Sequence, residues 1–185
     1  PPKKIFAHGW WTNEGKKISK SLNNSIDPKK IIDEYGLDQF RFFILREITL
    51  GQDGDFSEKS LLNRSNSDLS NSLGNLFQRT LKFLEKHFES KMPLNIDKVD
   101  LTILNNGYYL LNPIEQNIEN FEYHKALEII WKYIADLNQF IDEQKPWSTI
   151  KEDKKKTAET LSVLMESLRL VGIILQPFIP GTAKR

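Results

Sequence analysis

Leu127, Ile130, Ile134, Leu137 and Ile141 recur at alternating spacings of three and four residues. That spacing follows the ~3.6-residue turn of an α-helix and not the two-residue alternation of a strand. The stripe predicts an amphipathic helix that must bury one face, and Pro146-Trp147 ends the segment. A second stripe, Leu61, Leu62, Leu69, Leu73, Leu76, Phe77, Leu81 and Leu84, predicts a helix from Glu58 onward. Serines and asparagines occupy its other face, and Gly74 weakens it locally. Leu101 to Phe121 is helical in character, with Pro113 expected to kink or divide it. Thr157 to Leu175 predicts a last helix, with Leu161, Leu164, Met165, Leu168 and Val171 inward and Pro177 and Pro180 as stops. Ser90 to Asp97, containing Pro93, reads as a loop. Helices joined by short connections predict an antiparallel bundle.

The front of the chain is built differently. Lys4 to Gly9 reads as a short buried strand ending at a glycine, followed by Trp10 and Trp11. Asp27-Pro28 is a helix start, with an acid at the N-cap and proline in the first turn, and Gly36 closes that helix after Tyr35. Asp38 is expected to cap a second helix in which Phe40, Phe43 and Ile44 share one buried face. Gly51 to Gly54 breaks the periodicity and predicts a turn, read as the linker to the helical part, with Ser57 as the next N-cap. Asp53 and Asp55 could suggest a cation, but the run lacks the other oxygen ligands of a calcium loop, so no metal site is expected. The expected fold is mostly α: an antiparallel helix bundle over 58–185, preceded over 1–57 by an α/β remnant.

Composition excludes several classes. No run approaches the ~18–20 apolar residues of a membrane span, and the start Pro1-Pro2-Lys3-Lys4 has no apolar signal-peptide core. Cysteine is absent, so there is no disulfide framework or thiolate metal site, which fits a cytoplasmic protein. A net charge of +1 announces no nucleic-acid partner globally, so any RNA contact must be local. One local candidate stands out. Lys16, Lys17 and Lys20 follow Gly15, with Ser19 and Ser21 interleaved. Glycine lets such a loop change shape, and alternating cations and hydroxyls suit an oxyanion such as a polyphosphate.

Lys17-Ile18-Ser19-Lys20-Ser21 resembles the Lys-Met-Ser-Lys-Ser signature of class I aminoacyl-tRNA synthetases, with Ile18 where methionine is usual. The flanks His8-Gly9-Trp10-Trp11 and Leu22-Asn23 resemble the methionyl branch. So do Gly51-Gln52-Asp53-Gly54-Asp55-Phe56-Ser57 and Asp142-Glu143-Gln144-Lys145-Pro146-Trp147. The resemblance implies the C-terminal part of a methionine–tRNA ligase, in which 1–57 would end an α/β, Rossmann-like nucleotide-binding catalytic domain and 58–185 would be an anticodon-binding bundle, with ATP and Mg2+, methionine and tRNA(Met) as ligands of the intact enzyme. Lys20 and Lys17 would contact ATP catalytically, Ser19 and Ser21 would shape the loop (residues 15–24), and His8 and Gly9 would border the adenylate. Asn75 and Arg79, four apart on one helix face, would read anticodon bases, with Trp147 stacking on one and Asn138 bracing the site.

The His-Ile-Gly-His-type motif of the class does not occur in this sequence, and the methionine pocket would lie in the preceding half of such an enzyme. The chain is therefore expected to be a piece of something longer, truncated in its helical domain and inactive alone. Three other readings compete: a leucyl, isoleucyl, valyl or cysteinyl enzyme, a non-catalytic RNA-binding module, and a helical scaffold without a nucleic-acid role. The scaffold predicts that Asn75, Arg79 and Trp147 are buried or scattered.

Overall fold

The computed structural model describes residues 1–3, 5–7, 9–49, 51–93 and 100–185, with the side chain of Lys20 also outside the description. The expected roles of Lys4 and His8, and the loop reading over 94–97, fall outside the described residues. A small sheet, ordered β2-β1-β3, combines β1 (Trp11–Asn13), β2 (Lys16–Lys17) and β3 (Gly54–Phe56). β1 and β2 are antiparallel, with Thr12 opposite Lys17, whereas β1 and β3 are parallel, with Thr12 opposite Asp55.

Two readings of the front change. Residues 5–7 form no strand, and Ile5 is 86% exposed. The ladder with Gly54–Phe56 runs from Trp11 to Asn13, so pairing begins after the apolar run and not within it. The glycine-acid run read as a turn and linker also supplies β3, and its carboxylates fasten the sheet. Asp53 accepts the Trp10 N–H at 2.7 Å, and Asp55 accepts the Gly15 N–H at 2.7 Å.

Helix α1 (Pro28–Tyr35) starts and stops as its sequence dictates: Asp27 caps the Lys29 N–H at 3.0 Å, and Gly36 leaves the helix at φ +95°. Helix α2 (Leu37–Glu47) carries a correction. Asp38 does not cap it, because Gly36 is the N-cap. The Asp38 carboxylate instead accepts the backbone N–H groups of Gly181 and Thr182, at the far end of the chain. Arg41 donates to the carbonyls of Phe178 at 3.0 Å and Pro177 at 2.8 Å. Phe40 and Ile44, expected to share one buried face with Phe43, are half-buried against the small core, and Phe43 itself is fully buried there. Phe42, one residue earlier, is equally buried on another side.

Residues 58–88 form one continuous helical run: α3 (Glu58–Arg64), a π-helical stretch over Ser65–Gly74, and α4 (Asn75–Phe88). Short polar side chains there compete with the backbone ladder, as where Ser67 Oγ donates to the Arg64 carbonyl at 3.4 Å. The i→i+5 ladder takes an extra residue into each turn, so the apolar phase slips. Leu61, Leu76 and Leu84 are buried, but Leu62, Phe77 and Leu81 remain exposed, contrary to the continuous stripe read from sequence.

The next segment divides into α5 (Thr102–Tyr109) and α6 (Leu111–Glu119). Pro113 lacks the N–H that would bond Tyr109 and crowds that carbonyl, so the break falls one turn earlier. Helix α7 (Tyr123–Gln144) buries all five residues of its stripe. Lys145, in the left-handed region at φ +45°, ends it and leads into α8 (Pro146–Thr149). Helix α9 (Lys154–Leu175) begins three residues before its predicted start because Asp153 caps the Lys156 N–H at 2.9 Å. A last turn, α10 (Pro180–Ala183), closes the chain.

Two cores result. The larger joins α7 and α9 with Phe42, Leu76 and Ile114, and the smaller contains Ile31, Phe43, Phe56 and Leu61. Phe42→Ala is expected to lower the unfolding free energy by about 3–5 kcal/mol, as a buried aromatic leaves a cavity. Leu62→Ala, on the exposed side of α3, should stay within about 0.5 kcal/mol. Urea denaturation reads both, and equal losses would contradict the assigned phase of the helix.

Candidate functional site

The lysine stretch is a hairpin and not a bare loop. Glu14 at φ +50° and Gly15 at φ +72° make a two-residue turn with both central residues left-handed, the geometry that matches strand twist. Lys16 and Lys17 then form β2 and remain exposed, and no ion pair occupies them among the described residues. Lys20 opens a 3-10 turn through Leu22, and its side chain lies outside the described residues. Ser19 caps that turn, accepting the Leu22 N–H at 3.2 Å, and its hydroxyl lies 3.1 Å from that of Ser21. The serines thus have local hydrogen-bond partners within the loop.

Asn24 escaped the sequence reading. Its Nδ2 donates to the Lys17 carbonyl at 3.0 Å, its Oδ1 accepts the Ser19 N–H at 2.9 Å, and its own carbonyl accepts Asn13 Nδ2 at 2.9 Å. The signal was one more polar residue in a polar stretch, with no period or cap to mark it. Gly9 is required by packing: an added Cβ would lie 2.0 Å from the Gln52 carbonyl oxygen. The adenylate role expected of His8 falls on a residue outside the described ones.

Among the described residues no group of three or more histidines, cysteines or acids could hold a metal ion. The aspartates that suggested a cation hold backbone and hydroxyl groups instead: Asp55 Oδ1 also accepts Thr12 Oγ1 at 2.5 Å.

The second constellation forms between α4 and the end of α7. The Arg79 guanidinium carbon lies 5.5 Å from the Trp147 ring centroid, and Arg79 Nη2 donates to Asp142 Oδ1 at 2.7 Å. Trp147 is 44% exposed although it follows the buried Pro146. Asn75 is exposed one helical turn before Arg79. Asn138 donates to the Ser72 carbonyl at 3.3 Å, tying α7 to the π-helical stretch just ahead of Asn75. Arg79 and Trp147 meet at the surface, against the burial or scatter that a scaffold predicts. Asp142, the first residue of the Asp142-to-Trp147 motif, is a further contributor to which the resemblance assigns no role.

The Arg79–Asp142 pair is solvent-accessible, with side chains 34% and 60% exposed. Such a pair stabilises the fold by only ~0–1 kcal/mol. Its consequence is orientation. The guanidinium is held 5.5 Å from the centroid of an exposed indole, an arrangement on which a planar base can stack.

Comparison with known proteins agrees with both halves. Residues 1–81 match the family model for class I tRNA synthetases (M), which defines the front as class I synthetase in type. Residues 99–185 match the anticodon binding domain of methionyl tRNA ligase. A methionine–tRNA ligase of Rickettsia felis is 49% identical over 192 residues, covering 100% of this chain and 37% of the relative. That of Caldanaerobacter subterraneus is 42% identical over 188 residues, covering 100% of this chain and 30% of the relative. A solved structure of Mycobacterium tuberculosis methionyl-tRNA synthetase in complex with methionyl-adenylate superposes with a TM-score of 0.93 at 35% identity, covering 99% of this chain and 37% of that one. The chain belongs to the methionyl-tRNA synthetase family, as its C-terminal part. The leucyl, isoleucyl, valyl and cysteinyl alternatives are thereby set aside.

Gly9→Ala tests the close approach that places the hairpin. The added methyl meets backbone and cannot be relieved by a rotamer change, so a loss of about 1–3 kcal/mol is expected. Thermal unfolding followed by tryptophan fluorescence measures it, and unchanged stability would mean that the Gln52 turn moves aside freely.

Proposed function

We propose that this chain belongs to an enzyme that activates methionine with ATP and transfers it to tRNA(Met), and that its own contributions are the lysine loop and the anticodon-reading face. Residues 1–57 form the end of the catalytic unit and 58–185 the anticodon-binding unit. The observation that carries the reading is the meeting of Arg79 with Trp147 on an exposed surface, in a chain whose other end carries the Lys17-to-Ser21 signature.

In the activation step a methionine carboxylate oxygen attacks the α-phosphorus of ATP. A bond forms from that oxygen to phosphorus, the bond from the α-phosphorus to the bridging oxygen breaks, and pyrophosphate leaves with the electron pair. Negative charge grows on the leaving phosphates. The ammonium groups of Lys17 and Lys20 would stabilise that charge most strongly in the transition state, raising the rate and not merely the affinity for ATP. Ile18 is apolar and close in volume to methionine, so it can anchor the loop similarly. Mg2+ would enter with the nucleotide, and no step is assigned to a metal held by this chain. The other half of the active site, with its His-Ile-Gly-His-type motif, is not in this sequence, so the chain alone should not form methionyl-adenylate.

On the anticodon side, a single-stranded base would stack on Trp147 while Arg79 and Asn75 bond its neighbours' edges, the usual mode of sequence-specific RNA recognition. A protein of this role works in the cytoplasm, and no described helix is long and apolar enough to cross a membrane.

Two measurements test the reading. In the intact enzyme, Lys17→Ala and Lys20→Ala should each lower ATP–pyrophosphate exchange by about 10²–10³-fold, as losing an oxyanion donor does elsewhere. On this chain, Trp147→Ala should weaken binding of a CAU anticodon stem-loop by ~1–3 kcal/mol and abolish preference over a scrambled loop. Binding that ignores loop sequence and vanishes with salt would instead support a non-catalytic, phosphate-binding module.

A further inference from the structure

We infer that Asn24 is the positioning residue of the lysine loop: its carboxamide fixes the shape in which the loop meets the phosphates of a nucleotide. The inference rests on the nucleotide reading of that loop. It starts from a geometric fact. The carboxamide donates to the Lys17 carbonyl and accepts the Ser19 N–H, two groups that flank Ile18. A neighbouring strand would offer the same donor and acceptor side by side, so Asn24 substitutes for a strand where β2 runs out.

The other contacts extend this bracing. The backbone carbonyl of Asn24 accepts Asn13 Nδ2, so the clamp is tied to β1, the first strand of the same hairpin. Asn23, at φ +48°, turns the chain back just before the clamp. Asparagine visits that region more readily than most residues. With its N–H held by Asn24, Ser19 is set to cap the turn that contains Lys20. One side chain therefore fixes the strand that carries Lys17 and the turn that carries Lys20 relative to each other.

The residue type follows from the same geometry. Alanine would supply neither bond. Aspartate would keep the acceptor for Ser19 but lose the donor to Lys17, and it would bring a negative charge into a loop that receives phosphates. Asn24 works through the backbone of the loop, so its effect should fall on the nucleotide-dependent step alone.

The test uses the intact enzyme. Asn24→Ala should lower kcat for ATP–pyrophosphate exchange by on the order of 10²-fold, the cost of misplacing a reacting group by about an ångström. KM for methionine and affinity for the anticodon stem-loop should not change. Asn24→Asp should fall at least as far. Asn23→Gly should keep the wild-type rate, since glycine adopts positive φ without strain. A general structural defect would instead lower thermal stability, methionine binding and stem-loop binding together, and that pattern would overturn the inference.

Wild-type exchange in Asn24→Ala, with exchange lost in Lys17→Ala, would overturn the clamp and leave the nucleotide reading intact. Wild-type exchange in Lys17→Ala and Lys20→Ala would overturn the nucleotide reading and the inference with it. Should Asn24→Ala fail to fold, Asn13→Ala removes only the tie to the Asn24 carbonyl. A smaller fall in kcat is expected there, and a wild-type kcat overturns the inference.

Discussion

The molecule depends on helix α2 being buried on two sides at once. Phe42 packs on Trp131 at 4.6 Å between ring centroids, inside the bundle core, and Phe43 meets Phe56 edge-on at 5.8 Å, inside the small sheet core. Consecutive residues on a helix project about 100° apart, so adjacent phenylalanines can serve two cores only where an element lies between them. Polar contacts reinforce the same helix. Asp38 holds the amides of the last turn, and Arg41 holds two carbonyls just before it. A buried carboxylate is costly unless paired or hydrogen-bonded, and here the backbone N–H groups satisfy it. Packed interiors transmit displacement instead of absorbing it, so a shift of the bundle would be felt in the sheet that carries the lysine hairpin.

Both exposed sites are held by buried or bonded neighbours. Trp147 stays open because the left-handed Lys145 and the buried Pro146 fix where the chain leaves α7. Arg79 stays at the surface because Thr80 beside it is fully buried and fixes the rotation of α4. The hairpin is braced from two directions: Asp55 takes the Gly15 N–H at its tip, and Asn24 closes its far end. Exposed charged side chains contribute little to stability. Their backbone must be fixed by other groups, and that division of labour is visible in both places.

Legibility followed the range of the forces involved. Helix α7 was readable because all five residues of its stripe lie on one face within a single element. The start of α1 was readable because Asp27 and the Lys29 amide it caps are two residues apart. The strand near the front was misplaced because an apolar run does not reveal its partner, and β3 lies some forty residues away. Asp38 was misread for the same reason: it has the composition of an N-cap, but the amides it caps are at 181 and 182. The π-helical stretch was hidden because a slip in phase preserves the residue types that define a stripe. In the candidate site, Lys17, Asn75, Arg79 and Trp147 were nameable from the family resemblance, and their proposed roles rest on it. The roles of Asp142 and Asn24 were not legible, since each matters only through a partner that folding brings to it.

The sequence by itself determined a helical body with a distinct front, the position of its lysine signature, and membership of a family whose motifs it carries in order. Those properties reside in local periods, caps and short patterns, whose physics acts within a few residues. Tertiary structure alone decided that α2 would join two cores, that Arg79 would lie against Trp147, and that an asparagine would hold the lysine hairpin in shape. These rest on contacts between residues distant in the chain, or on hydrogen bonds across a turn, and a side chain's identity does not name its partner until the backbone has brought the two within reach.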